Sequence, residues 1–183
     1  MQLVLDVVVA IASLVAVGQF TWAMRYHFEI DKVPLGVKLI TSISFLACCL
    51  NLYLLFTREQ PITVLVIGLM LALLSSALFT AAVRASRQAR LRFVFEGELS
   101  KSILKAGPYR RIRHPFYASY LMLWAGWALA TWSPLAALPL TALAVLYVMA
   151  ARQEEQNFMA SPLAAEYAAY RREAGFFWPV PRS

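Results

Sequence analysis

The sequence contains little charge and almost no cysteine. Only 15% of its 183 residues are charged, whereas 61% are hydrophobic, and the mean hydropathy is +0.62. A composition of this kind does not suit a soluble domain, so it predicts an integral membrane protein. The two cysteines, Cys48 and Cys49, are adjacent within an apolar run, and no Cys/His metal spacing occurs. We therefore expect them to be packing residues, and we expect no metal site.

Several nucleotide-binding and hydrolase motifs are also missing. The chain has no Gly-x-Gly-x-x-Gly, no Walker loop, no His-Glu-x-x-His and no Gly-x-Ser-x-Gly. This excludes a soluble Rossmann-type nucleotide domain. The formal net charge of +7 could indicate nucleic acid binding. However, the basic residues cluster between apolar runs, which favours anionic lipid headgroups as their partners and not nucleic acid.

Long apolar runs dominate the chain. Because a membrane span needs about 20 mostly apolar residues, the sequence predicts an all-α polytopic helix bundle that forms one domain with about five transmembrane helices. The predicted spans cover about residues 2–24, 37–56, 62–82, 116–133 and 135–151.

The basic residues predict the orientation of these spans. Residues 84–113 hold nine of the seventeen lysines and arginines, so the loop 84–115 is expected to be cytoplasmic. The N-terminus would then lie outside, and the polar segment 152–183 would lie in the cytoplasm of a bacterial cell, beneath its inner membrane. Arg84, Arg87 and Arg90 recur every three residues, which predicts that the third helix continues past the membrane. Leu163, Tyr167 and Tyr170 predict a short amphipathic helix in the final segment.

The segment Gly107–Tyr117 combines turn-forming residues, cations, an imidazole and two phenols. Pro115 can open a helix because a first-turn residue needs no backbone donor. His114 would then precede a helix N-terminus, whose unpaired N–H groups attract acceptors. We expect three arginines of this segment to lie at the membrane surface: Arg110, Arg111 and Arg113. The simpler interpretation is a basic loop that sets topology, followed by an ordinary helix start.

Two apolar helices follow this segment and are joined by an uncharged linker at residues 131–134. Both ends of a helical hairpin lie together, so Glu154 and Glu155 are expected beside His114. Converging ionisable residues at a membrane boundary indicate a functional site. Two carboxylates suit ribose hydroxyls or an amine, and Arg152 suits a carboxylate substrate through its planar fork. A solvated helix end is the alternative for the two glutamates.

Four features together resemble a known family: Gly107–Tyr117, the apolar hairpin, Arg-Gln-Glu-Glu at 152–155, and Glu-Tyr-Ala-Ala-Tyr-Arg-Arg at 166–172. This combination is similar to the isoprenylcysteine carboxyl methyltransferases and their prokaryotic relatives. Phospholipid methyltransferases share the broader pattern. The resemblance covers about residues 93–181.

The resemblance implies a membrane-embedded methyltransferase that uses S-adenosylmethionine and releases S-adenosylhomocysteine. Its substrate would be a lipophilic small molecule or a lipidated molecule, methylated on a carboxylate or on another oxygen or nitrogen. The resemblance implies a cofactor pocket that includes the glutamate pair. Its expected residues are Lys101, Ser102, Ile103, Leu104, Tyr109, His114, Pro115, Phe116, Tyr117, Glu154 and Glu155. Glu155 and Arg152 are the expected catalytic residues. The family's substrate-side arginine corresponds to Ala151, and Arg152 stands one residue later.

Two other classes stay open at this point. The turn around His114 recurs in membrane sterol reductases, which use NADPH, although the short chain and the glutamate pair argue against that class. The other class is a non-catalytic accessory protein of the membrane. Cofactor binding separates them, since a reductase would bind NADPH and an accessory protein would bind neither cofactor.

Overall fold

A computed structural model describes residues 1–26, 35–96 and 103–180, and it describes their side chains except at 24–26 and 88–96. The described chain is predominantly helical, which confirms the predicted fold class. The helices are α1 (Gln2–Tyr26), α2 (Leu35–Thr57), α3 (Ile62–Glu96), α4 (Pro115–Ala130), α5 (Ala137–Met159) and α6 (Ala164–Glu173), with short 3-10 helices at Gly107–Arg110 and Pro134–Ala136.

Four helical segments in the described ranges are long and apolar enough to cross a membrane: Gln2–Ala23, Leu35–Thr57, Ile62–Arg87 and Pro134–Met159. The remaining predicted span, residues 116–133, corresponds to α4. This helix has 16 residues, so at 1.5 Å per residue it is about 24 Å long, which is less than the hydrocarbon thickness of about 30 Å. The described ranges thus contain four helices of full spanning length and one shorter apolar helix.

Two helices extend beyond the apolar runs that predicted them. The predicted continuation of the third helix is confirmed, because α3 runs for 35 residues to Glu96. The fifth helix, α5, extends past the predicted span, which covers about residues 135–151, and continues to Met159. The helix ends shortly before Pro162, which is the first strong helix breaker after the apolar run. Glu154 and Glu155 therefore lie on a rigid helix.

The chain divides into two compact units, of which the first comprises Met1–Ser76 and Ser119–Val148. Within it, α3 and α4 approach each other closely through small residues. A Cβ atom added at Gly68 would lie 2.7 Å from the Ala130 Cβ atom and 2.7 Å from the Gly126 carbonyl oxygen. Close backbone approach through glycine and alanine is a common way of packing helices in membranes, where van der Waals contact replaces the hydrophobic effect.

We expect Gly68→Ala to destabilise the first unit by about 1–3 kcal/mol, because the added methyl group would force α3 and α4 apart. Thermal unfolding of the detergent-solubilised protein measures this effect. Gly18→Ala is the matched control, because a Cβ atom at Gly18 meets no atom within 4 Å. Equal unfolding temperatures for the two variants would contradict the close packing.

The second unit comprises Ala77–Ala118 and Met149–Ser183. Two distant segments pair here as a short parallel bridge between Ile112 and Gly175. The Gly175 N–H donates to the Arg111 carbonyl at 2.9 Å, and the Arg113 N–H donates to the Gly175 carbonyl at 2.8 Å. A Cβ atom at Gly175 would lie 1.8 Å from the Trp178 carbonyl oxygen, so only glycine permits this turn. The bridge fixes the segment after α6 beside the start of α4.

The last helix, α6, confirms the predicted amphipathic pattern. Tyr167 and Tyr170 are buried on one face, where they pack with Ile103 and Ala174, while Leu163 packs against the same cluster. The Tyr170 hydroxyl donates to the Tyr109 carbonyl at 2.5 Å. α6 is therefore held against the segment that precedes α4 through both apolar and polar contacts.

Candidate active site

His114 occupies the position before the first turn of α4, as the sequence predicted. Pro115 begins the helix, and the Ala118 N–H donates to the His114 carbonyl at 3.0 Å. The imidazole is buried, with 6% of the residue exposed, and its ring lies 4.9 Å from the Phe176 ring. The backbone N–H of His114 donates to the Phe176 carbonyl at 3.2 Å. The turn and the chain after α6 therefore fix both the position and the orientation of this ring.

The two ring nitrogens of His114 face two consecutive carboxylates on α5. Nε2 lies 3.3 Å from Oε1 of Glu155, and Nδ1 lies 3.4 Å from Oε2 of Glu154. The Tyr117 hydroxyl, one turn further along α4, donates to Oε1 of Glu154 at 2.5 Å. The expectation that the helical hairpin returns the glutamate pair to the His114 turn is confirmed by these distances.

Arg113 was expected at the membrane surface, and that expectation is wrong. Its guanidinium is turned inward: Nε donates to Oε1 of Glu155 at 2.7 Å, and both side chains are only 10% exposed. One terminal nitrogen of Arg113 also donates to the carbonyls of Arg171, at 3.3 Å, and Ala174. No local sequence pattern indicates this pairing, because the partners of Arg113 lie 42 or more residues away.

Glu155 is held by two further side chains of α6. The Tyr167 hydroxyl donates to Oε1 at 3.2 Å, and the Arg171 guanidinium lies 3.7 Å from Oε2. Burial, with the Glu155 carboxylate as the next cause, raises the pKa of Tyr167, and burial raises the pKa of Tyr170 to about 12. Both phenols therefore stay protonated at neutral pH and act as hydrogen-bond donors.

The two glutamates thus differ in character although they are adjacent in the sequence. Glu155 is 8% exposed and contacts four side chains, whereas the Glu154 side chain is 49% exposed. Consecutive residues of a helix point about 100° apart, so one carboxylate faces the buried cluster while the other remains accessible. Glu155 is suited to fix its neighbours, and Glu154 is suited to bind a ligand.

A cleft of about 440 Å³ lies beside this cluster and is lined by Arg113, Arg152, Glu155, Gln156, Met159, Arg171 and Phe176. Arg152 is exposed and forms no ion pair with the part of the chain that the structure describes. The lining carries three guanidinium groups and one carboxylate. Its surplus of positive charge favours an anion, because a guanidinium binds a carboxylate through two parallel hydrogen bonds.

The other predicted residues are spread over several environments. Ile103 is buried in the cluster with Tyr167 and Tyr170. The Tyr109 ring meets the edge of the Phe116 ring at 6.5 Å, and its carbonyl, not its hydroxyl, accepts from Tyr170. Pro115 is fully buried at the start of α4, while Leu104 is half-buried in irregular chain. Lys101 and Ser102 lie outside the described residues.

Sequence reasoning missed four residues that contact the site: Arg113, Tyr167, Arg171 and Phe176. Tyr167 carried a weak signal, since its helical spacing predicted a buried face, but not which group it would face. Arg113 was predicted at the membrane surface, and no contact with the site was predicted for Arg171 or Phe176. Only the pairing of the segments at Ile112 and Gly175 brings them to Glu155.

The fold and the charged site at the end of its helices define a multi-pass helical membrane protein with a candidate active site. A family model for phospholipid methyltransferases matches residues 63–165, which is more than half of the chain. The chain belongs to this family, and it is accordingly a membrane methyltransferase in the broad sense. The matched range includes His114, Tyr117, Glu154 and Glu155, but it ends before Arg171. No individually curated protein matches the chain.

Proposed function

We propose that this protein transfers a methyl group from S-adenosylmethionine to the carboxylate of a lipophilic substrate. One observation carries the proposal: His114 lies between an accessible and a buried carboxylate, beside a cleft in which Arg152 forms no ion pair with the described residues. Family membership favours this function over an NADPH-dependent reductase.

The residues of the site fit the polar groups of S-adenosylmethionine. Glu154 is accessible and retains acceptor capacity, so it suits the ribose hydroxyls or the ammonium group. Glu155 has four partners of its own, so we assign it the role of holding Arg113 and His114 in place. The sequence-derived assignments of Lys101, Ser102, Ile103, Leu104 and Tyr109 to the same pocket stay part of this proposal.

The chemistry requires positioning more than it requires a reactive side chain. When bound, S-adenosylmethionine supplies an electrophilic methyl group on a sulfonium ion. The protein must therefore align the acceptor with the methyl group and exclude water, and it needs no covalent nucleophile. A carboxylate acceptor needs no general base, whereas an amine acceptor would need one, a role that Glu154 suits. The surplus of guanidinium groups in the cleft favours the carboxylate.

Isothermal titration of S-adenosylhomocysteine into the detergent-solubilised protein tests the proposal. We expect micromolar binding by the unaltered protein and at least tenfold weaker binding by Glu154→Ala, since a hydrogen bond to a charged group contributes about 1.5–3 kcal/mol. Glu166→Ala is the matched control, because Glu166 is similarly exposed and pairs with Lys105 at 3.4 Å, away from His114. Absence of binding by the intact, folded protein would refute the proposal, and NADPH would be titrated next.

Arg152→Ala should raise the KM for a carboxylate acceptor about tenfold and leave kcat nearly unchanged. The expected cause is the loss of a charge-assisted hydrogen bond that binds substrate and transition state alike. Methyl transfer to an isoprenoid acid gives the readout. Arg172→Ala removes an exposed arginine of α6 that does not line the cleft and serves as the control. An unchanged KM would remove Arg152 from the substrate site.

A further inference from the structure

The second unit contains another cavity, of about 490 Å³, which shares no lining residue with the cleft beside Glu155. We call it the Arg110 groove. Its lining residues are Leu78, Gly107, Pro108, Arg110, Arg111, Ile112 and Pro179. Five of the seven are apolar residues or glycine, and the other two are arginines, so the groove has a mainly apolar lining with two guanidinium groups. Neither His114 nor Glu154 contributes to it.

The two arginines of the groove carry charge that the described chain does not neutralise. Arg110 and Arg111 are exposed, and neither forms an ion pair with a residue in the described ranges. Arg113, two positions later, is neutralised by Glu155 at 2.7 Å. Two adjacent, unneutralised guanidinium groups beside an apolar surface are complementary to a ligand with an anionic end and a hydrocarbon end.

The position of the groove along α3 indicates where such a ligand would lie. Leu78 belongs to the apolar part of α3, within the spanning segment Ile62–Arg87. The first charged residue after it is Arg84, six residues and about 9 Å further along the helix. Leu78, which lines the groove, therefore lies near the end of the apolar part of α3. This is the level at which a lipid changes from headgroup to acyl chain.

The 3-10 helix Gly107–Arg110, which Arg111 directly follows, lies close against α3. Gly107 has a φ of +55°, and a Cβ atom there would lie 3.1 Å from the Ala85 Cβ atom. A residue with a side chain would be strained at this φ. Gly107 thus allows the turn to approach α3. This approach places Arg110 and Arg111 in the same groove as Leu78 of α3.

We propose that the Arg110 groove binds an anionic phospholipid of the bilayer. Its phosphate pairs with Arg110 and Arg111, and the start of one acyl chain lies along Leu78 and Ile112. A zwitterionic phospholipid fits less well, because its own cation would face the two guanidinium groups. The lipid is a bound ligand and not the methyl acceptor, since the groove lacks His114 and Glu154. Binding of this lipid is separate from the methyl transfer proposed for the cleft beside Glu155.

Native mass spectrometry of the purified full chain, with equal amounts of phosphatidylglycerol and phosphatidylcholine of the same acyl composition, tests the proposal. The unaltered protein should retain phosphatidylglycerol preferentially. Arg110→Gln with Arg111→Gln should weaken that retention about 25-fold, because each basic residue near an anionic headgroup contributes about a fivefold factor. Leu78→Trp fills the apolar end without changing charge and should weaken the retention as well.

The matched control is Arg58→Gln with Arg172→Gln, which removes two exposed positive charges outside the groove. Equal loss of phosphatidylglycerol in the control would overturn the proposal in favour of a general charge effect. Equal retention of the two lipids by the unaltered protein, or full retention by Leu78→Trp, would also overturn it. Titration of S-adenosylhomocysteine into the arginine variant separates the two proposals, because the lipid site can fail while cofactor binding remains intact.

Discussion

Arg113→Ala is expected to destabilise the protein by about 3–5 kcal/mol. The substitution leaves the Glu155 carboxylate buried without the guanidinium that lies 2.7 Å away, and a broken buried ion pair costs about this amount. It also removes the donors to the carbonyls of Arg171 and Ala174, which connect α6 to the start of α4. Thermal unfolding in detergent should show the loss as a lower midpoint.

A double-mutant cycle shows whether this loss comes from the ion pair. Glu155→Gln removes the charge that Arg113 neutralises while keeping the size of the side chain. The double variant Arg113→Ala with Glu155→Gln should therefore be less destabilised than the sum of the two single variants. Arg172→Ala, on the exposed side of α6, should leave the midpoint unchanged. Additive single effects would show that Arg113 and Glu155 are not energetically coupled.

His114→Ala is expected to weaken S-adenosylhomocysteine binding about 100-fold. The imidazole contacts both carboxylates, at 3.3 Å and 3.4 Å, and its removal leaves Glu154 and Glu155 with no group between them. Because the imidazole positions Glu154, its loss misplaces a carboxylate that we assign to the cofactor, and a misplacement of about 1 Å can cost roughly this factor. Isothermal titration of the purified variant measures the affinity directly.

A graded series makes the His114 prediction specific. Tyr117→Phe removes one hydroxyl contact to Glu154, at 2.5 Å, and should weaken binding about tenfold. His114→Asn retains a polar side chain before Pro115 and should recover part of the affinity lost in His114→Ala. Comparison of the unfolding midpoints separates loss of the site from loss of the fold. Unchanged affinity in a folded His114→Ala variant would exclude His114 from the cofactor site.

The amino-acid sequence was sufficient to predict the helical membrane fold and the proximity of His114 to Glu154 and Glu155. Long apolar runs can satisfy their backbone groups in a bilayer only as helices, so composition and run length predicted the bundle. His114 beside Pro115, and Glu154 with Glu155 after an uncharged hairpin, could be paired because a hairpin returns the chain to its starting level. These inferences use properties that are local in sequence or follow from helix length.

Which charged groups are buried and which remain accessible depends on the tertiary packing. Arg111 and Arg113 belong to one basic run, yet only Arg113 is neutralised by Glu155, because the bridge between Ile112 and Gly175 brings α6 to that side of the chain. The same packing makes Glu155 a fixed charge and leaves Glu154 accessible. Whether a charged side chain is buried or exposed depends on the partner that it contacts. Partners that are 42 to 63 residues apart produce no periodic pattern in the sequence.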